Sequence, residues 1–197
     1  DGKIGDDVQC LGVASALDPA FEKRVVDPRP FWAALAPWGP VDPAERPGRA
    51  GGPLAGPPPA VAVISGRRAI PYGRALKQAS GGATKIVILK DPRVSRGVAD
   101  FLWAPAHDRV SGANSFSTLT SPHGLAAVLA SDAPPCEAIA SLEKPMLGLI
   151  LGGVTAGGGI DYSVAAAEDL AQRVSDAAKE YASLAVTPSR RTPPAFL

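Results

Sequence analysis

Apolar positions recur along this chain in two ways: at helical spacing, and in short unbroken runs. Val8, Leu11, Val13, Ala14 and Leu17 return at the three-to-four-residue interval of one buried face, which predicts a helix from about Asp6 until Asp18-Pro19 stops it. Residues 22–27, "EKRVVD", read as a short strand, and "PFWAALAPW" reads as a brief helix that Pro37 closes. From 37 to 59 the pattern is lost in Pro and Gly, so this stretch is expected to be a surface loop that buries little. Order returns at Ala60, with strands expected at 60–64, 85–90, 100–104 and 115–119 and helices at about 71–79 and 124–131. These strands are continuous apolar runs, the pattern of a parallel sheet covered on both faces, and their alternation with helices is α/β grammar.

A Pro-interrupted bridge follows, and the alternation then resumes. "MLGLIL" at 146–151 reads as a strand, "GGVTAGGG" as a glycine loop, 164–182 as a long helix and 184–187 as a strand. The helix places Val164, Ala167, Leu170, Val174, Ala177 and Tyr181 on one face and Glu168, Arg173, Asp176 and Lys179 outward. The organisation expected is therefore a first domain at 1–133, a linker at 134–145 and the start of a second domain at 146–197. That second unit stops after two strands. At the other end, "DGKIG" leads directly into a helix where a strand normally comes first, so a fragment with its first strand missing is expected.

Composition narrows the classes. The 197 residues, 46% hydrophobic, suffice for one good core and part of another. Lys and Arg number 20 against 19 acids, so no overall field draws nucleic acid, and any basic function is local. No apolar run reaches the roughly 18 residues of a membrane span, and no basic segment leads into an apolar one as in a signal peptide. Cys10 and Cys136 lie outside any CxxC or metal spacing and read as small buried hydrophobes, which favours a reducing, cytoplasmic location.

In open α/β sheets, ligands collect where strand C-termini run into loops and helix N-termini. Two arginine pairs are expected at such places. In "ISGRRAIP", Ser65 and Gly66 follow a strand, Arg67 and Arg68 occupy the loop, and Pro71 opens a helix; in "VTPSRRTPP", Ser189, Arg190, Arg191 and Thr192 follow another strand. Guanidinium groups there could hold phosphate through paired hydrogen bonds; alternatively they are solvated charges flanking helices. Gly152 and Gly153 offer backbone suited to a pyrophosphate, although the run is neither GxGxxG nor a P-loop and a plain turn is an equal reading. Lys3, between Gly2 and Gly5, could present an anion site, but Asp6 and Asp7 already offset that helix N-terminus, so a substrate hydroxyl suits it better. His107 beside Asp108 could be a general base with its orienter, or a plain surface histidine. Asp91 in "LKDPR" is turn chemistry first and a ligand contact second, and His123 in "SPHG" reads as a cap.

Taken together, "DGKIGDDVQCLGVASAL", "ISGRRAIPYGRALK", "VILKDPR", "DFLWAPAHDRVSGANSF", "PHG", "LGLILGG" and "VTPSRRTPP" occur in an order and spacing that resembles the mitochondrial fission Elm-type family. The resemblance covers nearly the whole chain. Bacterial members of that family are regarded as candidate glycosyltransferases, formerly labelled nucleoside-diphosphate-sugar epimerases. It implies a GT-B-like architecture, in which two Rossmann-like domains face each other across a cleft and the second binds most of the nucleotide-sugar donor. It also implies roles. Asp1, Gly2, Lys3 and Gly5, with Gly66, Arg67, Arg68 and Asp91, fall on the side of an unknown acceptor; His107 and Asp108 are the catalytic candidates; and Gly152, Gly153, Ser189, Arg190, Arg191 and Thr192 fall on the donor side. No metal or other cofactor is expected if the arginines offset the leaving group. Family members normally carry a strand before the "DGK" loop and more of the second domain after "SRRTP", so the chain by itself is expected to be inactive.

The competing class is a non-catalytic adaptor, since plant members are associated with recruiting the division machinery to mitochondria. Peripheral contact with the inner membrane and a protein partner would fit that class, and Phe31, Trp32 and Trp38 offer a docking patch, or else cover the sheet. An epimerase ranks last, because neither GxGxxG nor YxxxK is present.

Overall fold

The computed structural model describes residues 2–94, 96–126, 130–154 and 161–196. The chain divides into two compact units, Asp1–Ser131 and Asp132–Leu197.

The first unit is built on a four-stranded parallel sheet. Helices α1 (Ile4–Leu17) and α2 (Pro30–Leu35) precede β1 (Val61–Ser65), α3 (Ile70–Ala79), β2 (Lys85–Leu89), β3 (Phe101–Pro105) and β4 (Ser115–Thr118). The strands lie in the order β1-β2-β3-β4, with Val61 opposite Lys85, Val87 opposite Phe101 and Leu102 opposite Ser115. Ile86, Ile88 and Leu102, on the inner strands, are the deepest residues of the core, and Ile70, Tyr72 and Leu76 of α3 pack with them. Such runs of Ile, Val and Leu are what a strand buried on both faces requires. Gly73 lets α3 settle closely on the sheet: a Cβ there would come within 2.6 Å of Ile64 Cδ1.

Several sequence expectations need correction here. Residues 22–27 form no strand. The Asp27 N–H donates to Glu45 Oε1 and the Arg29 N–H to Asp42 Oδ2, so side-chain carboxylates hold this backbone where a ladder was expected. A cavity of about 580 Å³ is lined by this segment, by β1 and by α1 and α3. The same cavity explains α1, whose Leu11, Ala14 and Leu17 border it, so that only Val13 and Asp6 of the helix are buried while Val8 and Leu17 stay exposed.

The Pro/Gly-rich stretch 37–59 also buries more than its composition suggests. Leu54 joins the core, and Asp42, 1% exposed, is gripped by Arg29 through Nε at 2.8 Å and Nη2 at 2.7 Å. Neither cysteine is fully buried: Cys10 is half-buried and Cys136 exposed. The helix expected at 124–131 begins at Leu125, with residues 127–129 outside the described residues. Its preceding turn is capped by His123 Nδ1, which accepts from the Leu125 N–H at 3.3 Å.

In the second unit a short α4 (Glu137–Ala140), unforeseen in the bridge, leads to β5 (Met146–Leu151), α5 (Val164–Ala178) and β6 (Ser183–Pro188). The two strands pair in parallel from Met146 opposite Ser183 to Leu151 opposite Pro188. The Ser163 hydroxyl caps α5 by accepting from the Ala166 N–H at 3.2 Å. This helix ends four residues earlier than its apolar spacing suggested. Its half-buried side is Ala166, Ala167, Leu170, Val174 and Ala178, whereas Val164, Ala177 and Tyr181 are exposed. Within the described residues no helix is long and apolar enough to cross a membrane.

Candidate functional site

All four strands of the first unit run the same way, so their C-terminal ends gather the loops that the sequence singled out. After β1, Gly66 turns the chain at a φ of 87°, which glycine adopts without strain, and its carbonyl accepts from the Ala69 N–H. Arg67 and Arg68 are thereby held in the turn before α3, and Arg67 Nη2 donates to the Ala33 carbonyl at 3.1 Å. After β2, Lys90 adopts a φ of 73° and its N–H donates to the Trp103 carbonyl of β3. Asp91 then closes a tight turn by accepting from the Arg93 N–H at 2.9 Å.

Asp108 follows β3 in a single helical turn, Ala106–Asp108, and its Oδ2 accepts from the Asp91 N–H at 3.2 Å. The loops after β2 and β3 are tied together by that bond. His107 is highly exposed, and its Nε2 stands 3.6 Å from Asp108 Oδ1, an electrostatic approach and not a hydrogen bond. Gly2 and Gly5, at the entry to α1, face open space; Lys3 is exposed and its carbonyl accepts from the N–H groups of Asp6 and Asp7 at 2.9 Å. Asp1 lies outside the described residues.

The centre of this arrangement is Asp6, which by its sequence position alone is only a helix-end charge. Asp6 is 4% exposed, accepts from Ser65 Oγ at 2.8 Å and forms an ion pair with the Lys90 ammonium. Burial by itself would raise the Asp6 carboxyl, but hydrogen bonds from Lys90 and Ser65, and the charges of Lys90 and Lys3, outweigh it and hold the group below the usual carboxylate value. Asp6 therefore stays ionised and fixes Lys90 at the strand ends. A signal was present: Ser65 closes β1 and Lys90 directly follows β2, where side chains meet at the sheet's ligand end. Cys10, on the same helix, has its thiol pushed up to about 11 by burial and by the neighbouring Asp6 charge.

In the second unit the glycine and arginine motifs form one cluster at the ends of β5 and β6. Thr192 Oγ1 donates to the Gly152 carbonyl at 2.6 Å and accepts from the Ser189 N–H at 2.9 Å. Ser189 N–H also reaches the Leu151 carbonyl, and Ser189 Oγ accepts from the Arg191 N–H at 3.2 Å. Gly153 lies so close to Arg191 that a Cβ would overlap its backbone, while the side chains of Arg190 and Arg191 belong to exposed residues. Thr192 is thus the internal fastener of the loop. The rest of the glycine run, 155–160, lies outside the described residues.

A parallel sheet with α3 crossing between β1 and β2, and with its polar loops gathered at the strand C-termini, defines the first unit as a Rossmann-like α/β fold. The chain belongs to the mitochondrial fission ELM1 family, whose model matches residues 4–197. No curated protein and no solved structure matches it.

Proposed function

We propose that this chain is part of a GT-B-like glycosyltransferase that moves a sugar from a nucleotide-sugar to an acceptor hydroxyl. The observation that carries this reading is the fastening of the Gly152-Gly153 turn to residues 189–192 by Thr192. It brings pliable glycine backbone and two exposed arginines to the ends of adjacent parallel strands, which is where a diphosphate is best received. Arg190 and Arg191 would offset the charge that develops on the departing nucleoside diphosphate as the glycosidic bond breaks. In the first unit, Lys3, Arg67, Arg68 and Asp91 would position the acceptor. His107 would take the proton of its hydroxyl, with the Asp108 carboxylate 3.6 Å from its Nε2.

The test is calorimetric titration of the full-length protein with a panel of nucleotide-sugars, repeated with Arg190→Ala combined with Arg191→Ala. A fall in affinity of about tenfold or more is expected. Unchanged affinity in the double variant would remove the donor site from these loops.

The adaptor reading has its own observation: Phe31 and Trp38, at 66% and 68% exposed, stand at either end of α2. Capture of a protein partner that is lost in Trp38→Ala, together with no turnover of any nucleotide-sugar, would favour it.

A further inference from the structure

Most arginines near the ends of α2 and β1 already have partners. Arg29 is forked onto Asp42, Arg24 pairs with Glu22 at 2.7 Å, and Arg74 donates to the Pro37 and Gly39 carbonyls at 2.6 and 2.8 Å. Arg67 and Arg68 differ. Arg67 gives one N–H to a neutral carbonyl, and Arg68, half-buried, has neither hydrogen bond nor ion pair among the described residues. Both line a hollow of about 610 Å³ whose other walls are residues 27–30, 33 and 34.

The chemistry of that hollow is one-sided. Arg29 is a third lining guanidinium, and its grip on Asp42 uses Nε and one N–H of Nη2, leaving Nη1 with no partner among the described residues. The acid in the lining is Asp27, an exposed residue, and the remaining walls are Pro28, Pro30, Ala33 and Ala34, which offer no side-chain acceptor. A guanidinium partly withdrawn from water without a counter-ion is costly, and the cost is relieved by an anion with several acceptor oxygens. The guanidinium groups of Arg67 and Arg68, with the remaining Nη1 of Arg29, offer more donors than a single carboxylate can accept, and the tetrahedral oxygens of a phosphoryl group suit them better.

We infer that the hollow lined by Arg29, Arg67 and Arg68 binds a phosphoryl group, so that the ligand of the first unit is a phosphate ester. Assigning that ester to the acceptor rests on the proposed glycosyl transfer; the phosphoryl site itself does not. Asp42 is the positioning residue, since its carboxylate fixes the Arg29 fork. The ester is either a soluble phosphate or the headgroup of an anionic lipid, and the test separates them.

Inorganic phosphate is titrated into isotope-labelled full-length protein, and binding to phosphatidylcholine vesicles with and without phosphatidic acid is followed by co-sedimentation. Phosphate is expected to shift the amide resonances of residues 29, 31–34 and 66–69. The affinity should fall by about tenfold or more in Arg67→Gln with Arg68→Gln, and by less in Arg67→Lys with Arg68→Lys, which keeps the charge without the fork. Circular dichroism and the thermal midpoint verify that each variant is folded. Sedimentation with phosphatidic acid vesicles that is lost in the double variant identifies the lipid source. Phosphate binding without vesicle binding identifies a soluble ester. Absence of both, or an affinity that the double variant leaves unchanged, overturns the site. Nucleotide-sugar titration of the same protein reads the donor assignment separately, so either idea fails without the other.

Discussion

The Ser65 hydroxyl, at the end of β1, donates to the Asp6 carboxylate in the first turn of α1 at 2.8 Å, joining residues 59 positions apart at the ligand end of the sheet. Lys90, from the end of β2, completes the contact as the counter-charge. Asp6→Asn should therefore cost about 1–3 kcal/mol at neutral pH, because a buried hydrogen-bonded charge is lost while Lys90 keeps its own. Ser65→Ala should cost about 1 kcal/mol. The pH dependence has a definite sign. The Asp6 carboxyl titrates lower in the folded protein than its ordinary value of 3.8, so its contribution is complete above that value and fades as the pH drops through the lower folded one. Urea denaturation of wild type and Asp6→Asn from neutral pH downward should show their difference shrinking only in the acid range. A constant difference would mean that the pair does not stabilise the fold through charge.

Gly153→Ala tests the fastening of the second unit. The added methyl would overlap the Cβ and the carbonyl carbon of Arg191, so the loop must open or shift. Overpacking of this kind costs about 1–3 kcal/mol. Proton exchange at the Ser189 and Thr192 amides should accelerate, and nucleotide-sugar affinity should fall with it. An unperturbed exchange pattern would show that the close approach of Gly153 to Arg191 is not required.

The two thiols should differ sharply in reactivity. Cys10 is half-buried and its thiol is pushed up to about 11, so little thiolate exists near neutral pH. Cys136 is exposed. Alkylation by iodoacetamide followed by peptide mass analysis should label Cys136 first. Cys10 should follow only when the protein is unfolded or the pH is raised strongly.

Asp42 anchors the proline-rich stretch. Its carboxylate receives Arg29 through two side-chain bonds and also accepts from the Ala44 N–H at 2.9 Å. Nearby, Tyr72 of α3 donates its hydroxyl to Glu45 at 2.5 Å. Asp42→Ala should release residues 37–59 and make this stretch the first site of limited trypsin cleavage, at the Arg49-Ala50 bond. Tyr72→Phe should have a smaller effect of the same kind. Equal cleavage rates in wild type and both variants would mean that the stretch is held by its prolines alone.

What the sequence determined by itself was the set of strands and their parallel class. Continuous apolar runs such as "VAVIS", "KIVIL" and "MLGLIL" lack the alternation of a strand with one polar face, so they specified β1, β2 and β5 and the parallel class of sheet, although Ile150 of β5 is exposed. Loop chemistry at strand ends was legible for the same reason, since Gly66 at positive φ and the Asp91 turn are local demands. Residues 22–27 have the composition of a strand but form none, because a strand is defined by its neighbour, and here the backbone donors of Asp27 and Arg29 go to Glu45 and Asp42. The burial of Asp42 in a stretch rich in proline was likewise invisible, since it depends on Arg29, 13 positions away. Only the tertiary structure could bring Asp6, Ser65 and Lys90 together, or place Arg29 in one lining with Arg67 and Arg68. Charge and hydrogen-bond partners far apart in the chain leave no local spacing to read; their pairing is decided when the sheet assembles and excludes water from the ends of its strands.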